Sequence, residues 1–339
     1  MTALTIPARP GHDAGLRPVP WRRMAWVTWR QHRAALAGVA VFLGALAVYL
    51  WLTGLQMHHA EAAYCHPASS LGCGINFTGR YGITAILVSI VLQAVPALIG
   101  AFTGAPVLAR ELETGTFRYA WTQGIGRLRW TVGKLIPLAV AVTAAAGAFT
   151  VLFSWYTRPF VAVGYVTPFA PRVFGLLGVA FAAWTLAAFA IGVLAGMLIR
   201  RAVPAIAATL AVYAGLAFAT GLWLREHYIT PLVTSSPNPP GSGWAAISGW
   251  YTKGGTFAFG DHGNGIASAA RQLCGGLGCP GSGRFSLEQL LARHGYTHWT
   301  SYQPGSRFWP FQWIEGGWLL VLSVLLIAVT VWLVQRRAT

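Results

Sequence analysis

Six long stretches of the chain contain no Asp, Glu, Lys or Arg: residues 34–55, 81–109, 135–157, 173–199, 202–224 and 316–335. Each can supply the roughly 20 helical residues that cross the hydrocarbon core of a bilayer. Backbone polar groups in lipid are satisfied only within a helix or a closed barrel, and these runs lack the two-residue alternation of barrel strands. The pattern predicts an all-α integral membrane protein of six transmembrane helices. Pro96 and Pro106 in the second span and Pro137 in the third predict kinks rather than breaks. Small residues at a spacing of four, Ala40 with Gly44 and Gly192 with Gly196, permit close helix approach, first of all within one chain.

Composition removes the soluble alternative. Charged residues make up 9% of the chain and hydrophobic ones 55%, whereas a soluble domain carries about a quarter charged residues. The net charge of +16 would suit a nucleic-acid binder, but the arginines stand at the ends of apolar runs, so no nucleic-acid partner is expected. They fit membrane topology instead. With a cytoplasmic amino terminus, 15 of the 24 Lys and Arg residues fall inside, among them Arg22, Arg23, Arg30 and Arg33 before the first span. Both termini are then cytoplasmic. The first apolar run is too long for a signal-peptide core and precedes no small-residue cleavage site, so it is read as retained. Of the basic residues 22 are Arg, which with the Ala and Gly richness points to a high-GC, bacterial genome.

Four segments follow. Residues 1–33 form a cytoplasmic segment whose 21–33 stretch suits an interfacial helix, with Trp21, Trp26 and Trp29 at the membrane surface. Residues 34–224 hold helices 1–5 and a cytoplasmic hairpin at 108–134. Residues 225–315, too polar and Gly/Pro-rich to span, form an external cap with a short helix expected over 286–296. Residues 316–339 hold helix 6 and a cytoplasmic tail. Trp299, Tyr302, Phe308, Trp309, Phe311 and Trp313 crowd the approach to that helix, as interfacial aromatics do.

All four cysteines fall on the outer, oxidising face. Local disulfides Cys65 with Cys73 and Cys274 with Cys279 are expected, free thiols being the alternative that sequence leaves open. His58, His59 and His66 match no common zinc spacing, so no metal is expected. Chemistry within the spans is disfavoured as well. Ion-coupled transport normally retains ionisable groups inside the membrane, and none of the six runs holds even a His. There is no HExxH, and Gly133-Lys134 lacks the upstream glycine of a Walker A loop because position 128 is Leu. The chain is not expected to be an enzyme or to bind a cofactor itself.

Two of only eight acidic residues, Glu111 and Glu113, close the second span in the run Arg110-Glu111-Leu112-Glu113-Thr114-Gly115-Thr116-Phe117-Arg118. A short helix broken at Gly115 is expected there, then a second break at Gly124-Ile125-Gly126 before Trp130 and Lys134 re-enter the membrane. This hairpin resembles that of the type-2 ABC transporter permeases, which carry Glu-x-Glu-x-Gly-Thr, then a Pro-x-Ser-Arg turn and a Lys. Glu111, Glu113, Gly115, Thr116, Arg127 and Lys134 occupy those places, with Gly124 for the usual Pro and Gly126 for the usual Ser. The runs Trp26 to Arg33 and Phe308 to Glu315 look similar to actinobacterial members.

The resemblance implies a coupling hairpin in which Glu111, Glu113, Thr114, Gly115, Thr116 and Arg118 meet a separate cytoplasmic ABC ATPase, the two glutamates pairing with basic residues there. ATP and magnesium would be bound by that partner. It also implies a second permease subunit, identical or not, and an exporter in a bacterial plasma membrane moving an amphiphilic or hydrophobic substrate. Gln93, Tyr213 and Thr220 are polar positions for its path. A non-transporting membrane scaffold that docks a soluble protein on the same hairpin is the alternative.

Overall fold

The computed structural model describes residues 21–65, 71–115, 126–235, 243–253, 256–260, 289 and 291–337. Helix α1 runs unbroken from Trp21 to Tyr64, so the stretch expected as a separate interfacial helix is continuous with the first span. Helix α2 (Leu71–Ile99) passes through a wide π turn, Gly100–Gly104, into α3 (Ala105–Thr114). Helix α4 (Arg127–Ala162) contains Pro137 and Pro159 without a break, and a four-residue α5 (Pro171–Phe174) follows. Next come α6 (Ala180–Ile199) and α7 (Ala202–Ala219), the latter extended by a π turn over Thr220–Leu224 and a 3-10 turn at Arg225–His227. The last helix is α8 (Phe308–Arg337). Six of these helical stretches are long and apolar enough to cross a membrane, one in each predicted region.

Burial orders them. In α6, 61% of the most apolar stretch is buried, against 11% in the first span and 17% in the fifth. A helix apolar on every face belongs in the middle of a bundle, and α6 packs against α2, α3, α4, α7 and α8. Its Gly192 and Gly196 lie directly on the π turn and α3. A methyl added to Gly192 would stand 2.8 Å from Ala105 N, and one on Gly104 2.6 Å from Phe189 O. The π turn sets this approach: Ala105 N–H reaches back to Gly100 O, just before Pro106, which has no N–H to offer. Gly44 behaves otherwise. Nothing lies within 4 Å of where its Cβ would be, so close packing expected at Ala40 and Gly44 is not made at Gly44 within the chain.

The segment between α7 and α8 adds what sequence did not anticipate, a four-stranded antiparallel sheet in the order β1-β4-β2-β3. Its strands are β1 (Leu232–Thr234), β2 (Trp244–Tyr251), β3 (Phe257–Gly260) and β4 (Thr297–Gln303). Central β4 pairs Ser301 with Val233 on one side and with Ile247 on the other. The sheet is fastened to the bundle where α7 leaves and α8 begins. Gln303 Nε2 donates to Ile229 O at 2.6 Å, and Arg307 donates to Thr230 O and Gln303 Oε1, each at 2.8 Å. Beneath it Phe169, Phe174 and Phe311 form a fully buried aromatic cluster, their rings 5.2–5.7 Å apart where Phe169 meets the other two. Leu291 is buried and residues 289 and 291–293 are helical, but the expected 286–296 helix ends early: residues 294–295 form a turn that leads into β4, while 286–288 and 290 lie outside the described residues.

Candidate functional site

A two-residue step turns a helix by about 200°, so Glu111 and Glu113 leave α3 on opposite sides. Glu111 points into the bundle, 8% exposed, and its Oε1 accepts Lys134 Nζ from α4. The Lys134 ammonium also lies 4.7 Å from the centre of the Trp130 ring. Glu113 is solvent-exposed, and its Oε2 accepts the backbone N–H of Ala202 at 3.2 Å. Ala202 opens α7, where a carboxylate satisfies an orphan donor and complements the helix dipole. Arg200 makes the turn that brings it there, adopting φ 58° at the end of α6. Arg127 NH1 donates to Gln335 O at 3.1 Å and so joins the start of α4 to the end of α8.

This arrangement gives each of the two glutamates a contact within its own chain, Glu111 with Lys134 of α4 and Glu113 with the start of α7. The exposed charges among described residues at this end are Glu113 and the five arginines Arg110, Arg129, Arg200, Arg201 and Arg336. Thr114 donates its hydroxyl to Arg110 O at 2.8 Å, and Gly115 closes α3 in the left-handed conformation, φ 71°. Thr116 and Arg118 lie outside the described residues.

The opposite end of the bundle holds a second polar cluster. Glu315, fully buried on α8, accepts Nε and NH2 of Arg225 at 3.0 and 2.8 Å and Trp184 Nε1 of α6 at 2.8 Å. The guanidinium lies 4.5 Å from the Phe174 ring centre. Trp318 donates to the Tyr228 hydroxyl at 2.9 Å, and burial, with the Glu315 carboxylate beside it, holds that phenol well above its ordinary pKa. Gln312 adds a cap on α6: its Oε1 accepts Ala180 N–H at 2.9 Å while its Nε2 donates to Phe174 O at 3.0 Å. Sequence reasoning missed this cluster. The available signal was one lone acid at the outer edge of the sixth run and one lone base at the outer edge of the fifth.

Of the polar path positions, Gln93 and Tyr213 line one cavity of about 180 Å³, shared with Trp184 and Arg225. Gln93 donates to Arg172 O at 2.8 Å. Thr220 stays apart, its hydroxyl donating to Leu216 O within its own helix. Cys65 is buried and disulfide-bonded, while Cys274, Cys279 and the Cys73 side chain lie outside the described residues. His58 has a packing role, stacked 4.6 Å from the Trp155 ring with Nδ1 on Gly54 O at 2.9 Å. No cluster of metal-ligating side chains occurs among the described residues.

A family model described as ABC-2 membrane transporter related matches residues 39–225, more than half of the chain and the whole stretch from the first span to the end of α7. No curated protein and no solved structure matches. With six membrane-capable helices and a charged hairpin between the second and third, the chain belongs to the ABC-2 membrane transporter related family, as a multi-pass membrane component of the ABC permease type.

Proposed function

We propose that the chain is the membrane-spanning subunit of an ATP-binding-cassette exporter in a bacterial plasma membrane, with both termini and the α3–α4 hairpin in the cytoplasm. It pairs with a second permease subunit, identical or related, and moves an amphiphilic or hydrophobic substrate. Cytoplasmic ABC ATPase subunits bind ATP and magnesium and supply the work. The observation that carries this reading is the hairpin's double tie. Displacing α3 pulls α4 through Glu111 and Lys134 and α7 through Glu113, so one push at the surface reaches three spans. The exposed arginines at that end suit an acidic docking surface on the ATPase. Gln93 and Tyr213, at one cavity, are the part of the polar path this geometry supports.

The test is reconstitution with an ATPase encoded beside this chain. The two should co-purify, and hydrolysis in lipid discs should respond to a hydrophobic cargo. Reversing Arg200 and Arg201 to Glu should release the ATPase, whereas Glu113→Ala should leave assembly intact and weaken stimulation. An ATPase that never assembles, or assembly and stimulation indifferent to both changes, removes the exporter reading.

A further inference from the structure

Along the outer half of α4, Gly147, Val151, Ser154 and Arg158 follow one another at steps of four, three and four residues, which places them in one stripe. That stripe floors a cleft of about 1120 Å³ walled by Phe308 and Trp309 at the start of α8. Ligand clefts run to about 1,000 Å³, so the space is large enough for a whole amphiphile. The cleft opens to the side, since Val151 is 71% and Trp309 55% exposed, and at the level of a transmembrane helix the side is lipid.

Its polar side chains are few, and among them the Thr150 hydroxyl is buried without a hydrogen-bond partner among the described residues. Ser154 donates to Thr150 O at 2.7 Å and Thr157 to Phe153 O at 3.0 Å, so neither hydroxyl has its proton free for a guest. Arg158 differs. It is exposed and makes no hydrogen bond or ion pair with any of the described residues. It also follows directly on the uncharged run 135–157, whose 23 residues rise about 34 Å as a helix and therefore bring Arg158 to the headgroup level. A dry, laterally open trough ending in one unpaired guanidinium is complementary to a hydrocarbon chain ending in one anion. Guanidinium binds phosphate through two parallel hydrogen bonds, and an acyl chain enters from the bilayer without crossing water.

We propose that this cleft is a binding site for an anionic phospholipid, its phosphate on Arg158 and an acyl chain laid along Ser154, Val151 and Gly147 between α4 and α8. The site stands apart from the ATPase and from cargo, so it is tested on the purified permease alone. The protein is equilibrated in lipid discs of equal parts phosphatidylglycerol and phosphatidylcholine, then released for native mass spectrometry. Wild type should retain phosphatidylglycerol over phosphatidylcholine, and Arg158→Gln should lower that retention at least about tenfold, as expected for losing a charge-assisted bidentate contact. Arg158→Lys should keep part of it. Val151→Trp, which fills the floor and leaves the charge in place, should lower retention of both lipids. Circular dichroism of each variant establishes that the fold is unchanged. Equal retention by wild type and Arg158→Gln, or no preference between the two lipids, overturns the site. So does loss of lipid only together with loss of a dimer, which would make the face a subunit contact.

Discussion

Replacing Lys134 with Met leaves Glu111 buried beside an apolar chain of nearly the same length. The carboxylate is 8% exposed, its Oε2 already lacks a hydrogen-bond partner, and Lys134, 4% exposed, is the cation on its Oε1. Removing one member of such a pair costs about 3–5 kcal/mol, because the remaining charge is neither solvated nor paired. Glu111→Leu is expected to cost a similar amount by stranding the ammonium. The double change, Glu111→Leu with Lys134→Met, removes both desolvation penalties and should return close to wild-type stability or exceed it by up to about 4 kcal/mol. Equilibrium unfolding by SDS titration in mixed micelles, followed by far-ultraviolet circular dichroism, reads all four proteins of the cycle. The decisive quantity is the coupling between the changes. Two single variants within about 1 kcal/mol of wild type, with a strictly additive double, would mean that Glu111 and Lys134 are solvated and that α3 is not fastened to α4 through them.

At the other end, Glu315→Gln removes the charge that Arg225 faces and should cost a comparable 3–5 kcal/mol by the same titration; the near-ultraviolet dichroism of Trp184, whose indole donates to Glu315, should change with it. Gly192→Ala should destabilise by about 1–3 kcal/mol, since its methyl would meet the Ala105 backbone at 2.8 Å, while Gly44→Ala, with open space around it, should leave the unfolding midpoint unchanged. Gln303→Ala frees Ile229 O and leaves Arg307 only its bond to Thr230 O, and should speed protease cleavage between α7 and β1 without changing α-helix content. Non-reducing peptide mapping should find Cys65 joined to Cys73, and recovery of Cys65 with Cys274 or Cys279 would refute the local pairing.

The spans were legible because lipid imposes a rule that a single sequence displays: long runs without charge, ended by arginine. Gly192 and Gly196 were legible for a related reason, since a missing side chain on a central helix has value only where another backbone comes close. The sheet was not legible. Its central strand β4 alternates only over Thr297–Thr300, burying His298 and Thr300 and exposing Trp299 with the usual polarity reversed, and the alternation is lost before the buried Gln303. The destination of the two hairpin glutamates was half legible. Their two-residue spacing requires opposite directions on a helix, but only the fold reveals that Lys134 stands on one side and the start of α7 on the other.

Helix α7 with its extension spans 26 residues, about 39 Å at helical rise, and is gripped near both ends by a carboxylate from another element. Glu113 of α3 holds the N–H of Ala202, and Glu315 of α8 holds the guanidinium of Arg225. Only 17% of its most apolar stretch is buried, so these end contacts, together with its seams on α6, α3 and the π turn, fix its position. The two grips differ in kind. The first is one exposed hydrogen bond, weakened by solvent and by any competing cation, whereas the second is bidentate, buried and supported by Trp184 and Phe174. The hold of the hairpin on α7 through Glu113 is therefore the weaker of the two grips, and removing it should disturb the Ala202 end of α7 while leaving the Arg225 end in place.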